Sequence, residues 1–295
     1  MKAVVTTLMM LAGVCLGATA QTSPTYGSNP DAGKYIEAND IRMYYESYGK
    51  GEPLLLLHGN GGSIQSFAEQ IPALAKHFNV IAIDSRSQGR STDSDKEITY
   101  ALMASDVAAA IQKLNLGSVN VVGWSDGGNV GLELALAYPQ LVKKLVTISA
   151  NFSHEHFMAD TARSVVMDVN DPVVVKTRGR VMSYFQTSEK LSANPERLPQ
   201  IRKKLEYLIE HYPNLTKEQL AKISCPALVV AGDHDLIREE HTLDLYKSLS
   251  HGELCIIPGA THLAVWEQPE IVNETIIRFL ETPYRDIDRF YFFRQ

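Results

Sequence analysis

Four stretches in the first half of the chain, PLLLLHG (53–59), NVIAIDSR (79–86), VNVVGWS (119–125) and KLVTISA (144–150), are apolar without alternation. Two more, PALVVAG (226–232) and LCIIPGA (254–260), follow late. Continuous apolar runs of this length predict parallel strands covered on both faces. IRMYYESYG (41–49) alternates instead, which predicts a half-exposed strand ending at the turn Gly49-Lys50-Gly51. Residues 67–78, 100–115 and 129–138 carry apolar side chains at three- and four-residue spacing and predict helices, the third stopped by Tyr138-Pro139. A last helix is predicted over 268–280. Strands alternating with helices give an α/β fold: a doubly wound, mostly parallel β-sheet flanked by helices, its strand C-termini along one edge.

The alternation breaks once. From Ser153 to Lys222 no buried strand is predicted, and Arg178 to Thr187 and Leu198 to His211 read as amphipathic helices between Pro172, Pro195, Pro199 and Pro213. So long a stretch is more than a plain loop and is expected to be a helical cap between two late strands. The chain thus divides into a leader (1–20), a first core segment (21–152), the cap (153–222) and a second core segment (223–295). QTSPTYGSNPDAGKY (21–35) reads as an irregular lead-in, and the aromatic tail PYRDIDRFYFFRQ (283–295) is expected to pack back on the body.

The leader changes the picture of where the protein works. Lys2, the apolar run Val4 to Leu16 and the small residues of Ala18-Thr19-Ala20 have the order of a secretory signal, too short for a comfortable membrane span. Cleavage near Ala20 is expected, leaving an exported protein, periplasmic or secreted, that begins near Gln21. With 45% hydrophobic and 21% charged residues the chain has ample material for one large core. The net charge of −6 becomes one unit more negative without Lys2, which argues against nucleic acid and an anionic membrane as partners. Cys225 and Cys255 are too few for a disulfide framework and lack metal-site spacing; they read as buried small hydrophobes, with a bridge between neighbouring strands left open.

The candidate chemistry lies in GWSDGG (123–128). This G-x-S-x-G sequence stands where a buried strand hands over to a helix, a sharp turn that demands small residues two positions either side of Ser125. A serine hydroxyl needs a base, and the base an orienting carboxylate. His262 in PGATHL follows the last strand and is expected on the same edge as Ser125. AGDHDLI offers Asp233 and Asp235 there. Asp235, further out in its loop, is favoured as the acid, and Asp233 is read as bonded to local backbone N–H groups. The N–H groups of Asn60, in HGNGG (58–62), and of Asp126 are candidate oxyanion donors.

These segments together resemble the α/β-hydrolase superfamily over nearly the whole mature chain. HGNGGS resembles its oxyanion loop, DSRSQGRS (84–91) its D-x-R-G-x-G-x-S segment, GWSDGG its nucleophile elbow, GDHDLI its acid turn and GATHLAVWEQPE its histidine segment. The acid three residues after Gly232 supports Asp235. Ser87 stands where that family usually has glycine, a departure of backbone shape. GWSDGGNVGLELALAYP is similar to the branch of valacyclovir-hydrolysing and related small-ester hydrolases. The resemblance implies a serine hydrolase that cleaves a small carboxylic ester through an acyl-enzyme, with no cofactor; export is expected from the leader alone. Serine rather than aspartate at the elbow argues against dehalogenase or epoxide hydrolase chemistry.

Other readings stay open at this level. The same three side chains serve an amidase or aminopeptidase, or a C–C bond hydrolase, and a non-enzymatic ligand-binding protein can keep the fold. The expected partner is a small ester or amide; the sequence leaves the oligomeric state open. Asp126 is a candidate for binding a substrate ammonium group or, equally, for capping its helix. Phe152, Phe157, Met158 and Trp266 are candidate pocket residues, with Phe152 and Trp266 preferred. His58 reads as scaffold, Asp84 and Arg86 as a loop-fixing network, and His154-Glu155-His156 as a solvated loop without a metal.

Overall fold

A computed structural model describes residues 25–155, 170, 172–287 and 290–293. The leader, His156, Phe157 and Met158 lie outside the described residues. The strands are β1 (Gly33–Ala38), β2 (Ile41–Tyr48), β3 (Pro53–Leu57), β4 (Asn79–Ile83), β5 (Val119–Trp124), β6 (Val142–Ile148), β7 (Ala227–His234) and β8 (Gly252–Thr261). The helices are α1 (Ile71–Leu74), α2 (Tyr100–Lys113), α3 (Asp126–Ala137), α4 (Pro172–Lys190), α5 (Leu198–His211), α6 (Lys217–Leu220), α7 (Glu239–Ser248), α8 (Ala264–Glu267) and α9 (Pro269–Glu281). The eight strands form one sheet in the order β1-β2-β4-β3-β5-β6-β7-β8, antiparallel only at β1/β2 and β2/β4.

Alternate residues of each central strand go to opposite faces, which is why their sequences are apolar throughout. Leu55 and Leu57 of β3, with Val119 and Val121 of β5, pack on α2 and α3 through Val107, Ile111 and Leu134. Leu54, Leu56, Val122 and Trp124 face the other way, toward Phe67, Ile71 and the α9 residues Val272, Ile276 and Phe279. Lys144 in β6 bridges this second layer. Its buried ammonium donates to the carbonyls of Phe279 at 2.8 Å and Leu280 at 2.9 Å, satisfying acceptors that the C-terminus of α9 leaves open. Hydrogen bonds to a charged group of this kind contribute about 2 kcal/mol each.

Three expectations about elements are corrected. The helix predicted over 67–78 is a 3₁₀ turn (Ile64–Phe67) followed by the single turn α1. Pro72 at the start of α1 lacks the N–H that a continuous helix needs there, and the spacing of Phe67, Ile71, Leu74 and Phe78 reflects burial of all four. Gly33 to Tyr35, read as lead-in, belong to edge strand β1, which buries only Ala38 and carries no apolar alternation. The run 254–260 is also an edge strand rather than one covered on both faces, and Ile256 in it is 41% exposed. In the tail, Phe290, Phe292 and Phe293 are 63%, 75% and 82% exposed. Cys225 and Cys255 are both free thiols.

Between β6 and β7 the described chain is helical. α4 and α5 lie over the C-terminal edge of the sheet, with Val181, Tyr184, Phe185 and Ile209 turned toward the strand ends. A buried carboxylate fastens them down. Asp93 faces Arg197 at 2.9 Å and Lys204 at 3.0 Å, accepts from the Ser87 hydroxyl at 2.6 Å, and donates its N–H to Asn194. Ser87 has φ +65°, which accounts for glycine being the usual residue at this point of the motif.

Candidate active site

Ser125 sits between the last residue of β5 and the first of α3 with φ +53° and ψ −121°, a strained conformation. Backbone bonds hold it there: Ser125 N–H donates to Ile148 O at 2.8 Å, and Gly128 N–H to Ser125 O at 2.8 Å. The turn is so tight that a Cβ at Gly123 would lie 2.1 Å from Gly127 O, and one at Gly127 1.9 Å from Leu57 O. The glycines flanking the serine are therefore a steric requirement.

Asp235 follows β7 and His262 follows β8, so both stand on the edge where β5 delivers Ser125. His262 Nε2 is 3.0 Å from Ser125 Oγ, and Nδ1 is 2.8 Å from Asp235 Oδ1. A carboxylate can only accept from Nδ1–H, which leaves the Nε2 lone pair toward the serine hydroxyl. Asp235 Oδ1 also accepts from Ile237 N–H at 3.0 Å. Burial pushes the Asp235 pKa up, but the His262 ring, the Ser149 hydroxyl and the Ile237 N–H outweigh it and hold the carboxyl below its usual range. The His262 carbonyl accepts from Trp124 Nε1 at 2.9 Å, tying the histidine loop to the strand that carries the serine. Asp233 takes a different role, accepting from Gly259 N–H and pairing with exposed His234.

Asn60 follows β3. Its neighbour Gly61 donates to Gln88 Oε1 at 2.7 Å, and Gly62 to Gly59 O at 3.2 Å, whereas Asn60 N–H has no partner among the described residues. Asp126 N–H, in the first turn of α3, is one of the donors that a helix start leaves open. The Asp126 side chain does not cap that helix. Its carboxylate is buried, accepting from Asn60 Nδ2 and from the Tyr100 hydroxyl, both at 2.8 Å. Burial raises its pKa, opposed by these two donors and by His262. Among the described residues no lysine or arginine forms an ion pair with it.

These groups open onto a cavity of ≈ 310 Å³ whose walls include Ser125, His262, Asp126, Tyr184 and Trp266. Trp266 is fixed by its Nε1–H, which donates to Ser66 O at 2.8 Å. Phe152 is a correction. It does not line this cavity but stacks on His241 with ring centroids 4.3 Å apart, its N–H donating to His241 Nε2, because the chain turns back into the core after β6. His58 is scaffold: buried, it accepts from Ser85 N–H, and burial lowers its pKa to about 4. Asp84 and Arg86 do not pair with each other. Asp84 accepts from Ile64 and Arg90 N–H groups, and burial raises its pKa to about 7; Arg86 makes a two-point contact with Asp106 and reaches Asp40. His154 bonds Asn214. Tyr100, Ser149 and Gln88 were not singled out from the sequence, since each reaches the site through a contact with a distant segment and none stands in a motif that marks it.

The family profile for the alpha/beta hydrolase fold matches residues 52–171. RutD of a Caulobacter species is 30% identical over 262 residues, covering 81% of this chain and 95% of its own. The human serine hydrolase BPHL is 27% identical over 260 residues, covering 82% of this chain and 84% of its own. Among solved structures, an enol-lactonase from Burkholderia xenovorans superposes with a TM-score of 0.65 at 20% identity, over 84% of this chain and 100% of the other.

Proposed function

The chain belongs to the α/β-hydrolase family and is a hydrolase, and on that premise we propose that it cleaves a small carboxylic ester through an acyl-enzyme on Ser125. The observation that carries this is the run of contacts from Asp235 through His262 to Ser125 Oγ at 2.8 Å and 3.0 Å. In the proposed cycle His262 Nε2 takes the hydroxyl proton as Oγ attacks the carbonyl carbon. The carbonyl π electrons move onto oxygen, where the N–H groups of Asn60 and Asp126 receive the charge. Each such donor contributes about 3 kcal/mol to the transition state. Collapse expels the alkoxide, which takes the proton from His262 and leaves as the alcohol. Water then repeats the sequence and releases the acid. Asp235 keeps the imidazole oriented and stabilises its charged form. The experiment that tests this is fluorophosphonate labelling with peptide mapping; a label on any residue other than Ser125, or none, sinks it.

Asp126 carries a second element of the proposal. A buried carboxylate held by neutral donors, with no lysine or arginine paired to it among the described residues, favours a positively charged group entering the cavity. An ester with an α-ammonium group supplies one. Asp126→Ala is expected to lower kcat/KM for an amino-acid ester about tenfold more than for a neutral ester of the same size. Equal losses on both would remove the recognition role. The leader read in residues 1–20 supports work outside the cytoplasm. N-terminal sequencing of the exported protein is expected to start near Gln21, and an intact Met1 would contradict it.

A further inference from the structure

A second cavity of ≈ 260 Å³ lies between α4, α5 and the loop 87–89. It shares Asn60, Phe185 and Ile209 with the cavity over Ser125, so the two meet at the residue whose N–H faces the substrate carbonyl. Phe185 and Ile209, on the common wall, are 44% and 39% exposed, although both belong to helices that cover the sheet. The Phe185 ring lies against Gly61, where an added Cβ would sit 3.1 Å from it. Beyond this wall Leu198, Ile201 and Leu205 of α5 supply the apolar lining, beside polar side chains that include Gln88, Ser192 and Glu206. Arg202, the cation in the lining, is already held by both carboxylate oxygens of Glu189, at 2.6 Å and 2.7 Å.

The direction of proton transfer decides what this space holds. The leaving oxygen must come within about 3 Å of His262 Nε2 to take its proton. The alcohol arm therefore stays in the first cavity, where His262, Leu263 and Trp266 form the wall. His262 is not part of the second cavity, which begins on the oxyanion side at Asn60. Resting on the ester-hydrolase reading, we propose that the second cavity is an acyl site and takes an extended, unbranched apolar acyl chain. Among the described residues the lining offers no free cation to a chain ending in a carboxylate, and Glu206 adds a further carboxyl group, so a neutral terminus fits best.

Leu198 and Ser192 line the second cavity and not the first, and neither touches Ser125, Asp235 or His262. Leu198→Trp and Ser192→Phe are to be compared with the parent on p-nitrophenyl acetate, p-nitrophenyl octanoate and octyl acetate, with the fluorophosphonate labelling rate of Ser125 as the control for an intact site. Filling the space is expected to lower kcat/KM for the octanoate by about tenfold or more. The acetate, the octyl acetate and the labelling rate are expected to stay near the parent values. An unchanged octanoate-to-acetate ratio in both variants overturns the acyl assignment alone. A loss confined to octyl acetate also overturns it, since it places the alcohol there. If the parent cleaves none of these esters and takes no label, the ester-hydrolase reading fails and the assignment falls with it.

Discussion

Ser125→Ala is expected to lower kcat on p-nitrophenyl acetate by roughly a millionfold and to abolish fluorophosphonate labelling. The loss is chemical and not structural. The contacts that fix the elbow are made by backbone atoms of residue 125: its N–H to Ile148 O, and its carbonyl to the N–H groups of Gly128 and Asn129. Alanine keeps all of them. It also meets no new strain at φ +53°, because the parent residue already carries a Cβ there. Thermal unfolding is therefore expected near the parent value while turnover vanishes. The variant should still bind ester, since its oxyanion donors and cavity walls are untouched. Turnover within tenfold of the parent would mean that another group attacks the carbonyl.

The second large effect belongs to Asp235. Asp235→Ala is expected to cost about ten-thousandfold in kcat, leaving the imidazole without a partner at Nδ1. Asp235→Asn is expected to retain more. Oδ1 of Asp235 accepts from both His262 Nδ1–H and Ile237 N–H, so an asparagine has reason to keep its carbonyl oxygen on that side. The amide NH₂ then takes the place of Asp235 Oδ2. In that arrangement the imidazole keeps its tautomer, and what disappears is the charge that stabilises the imidazolium. Steady-state kinetics of the two variants side by side check this. An asparagine variant as inactive as the alanine variant would show that the amide has turned its NH₂ toward the ring.

Ser125, His262 and Asp235 were legible in the sequence because each stands at the end of an apolar strand, in a short motif whose local geometry the motif dictates. The sheet was legible for the same reason at its centre, where β3, β4 and β5 are buried on both faces. At its margins it was not. β1 buries only Ala38 and has no pattern to betray it, and β8 keeps a buried strand's composition while lying at the edge. Tyr100 was illegible for another reason: its hydroxyl meets Asp126 only after α2 has folded against the start of α3. Phe152 failed in the opposite direction. Proximity in sequence to the end of β6 suggested the cavity, but an aromatic side chain beside a buried histidine gains more by stacking on it.

The loop from Asp84 to Asp93 touches two things at once. Through Gln88 it buttresses Gly61 beside the oxyanion donor, and through Asp93 it grips Arg197 and Lys204 next to and within α5. One short loop thus links α5 to the backbone beside Asn60. A change at Asp93 is therefore expected to be felt at Gly61 as well as in α5.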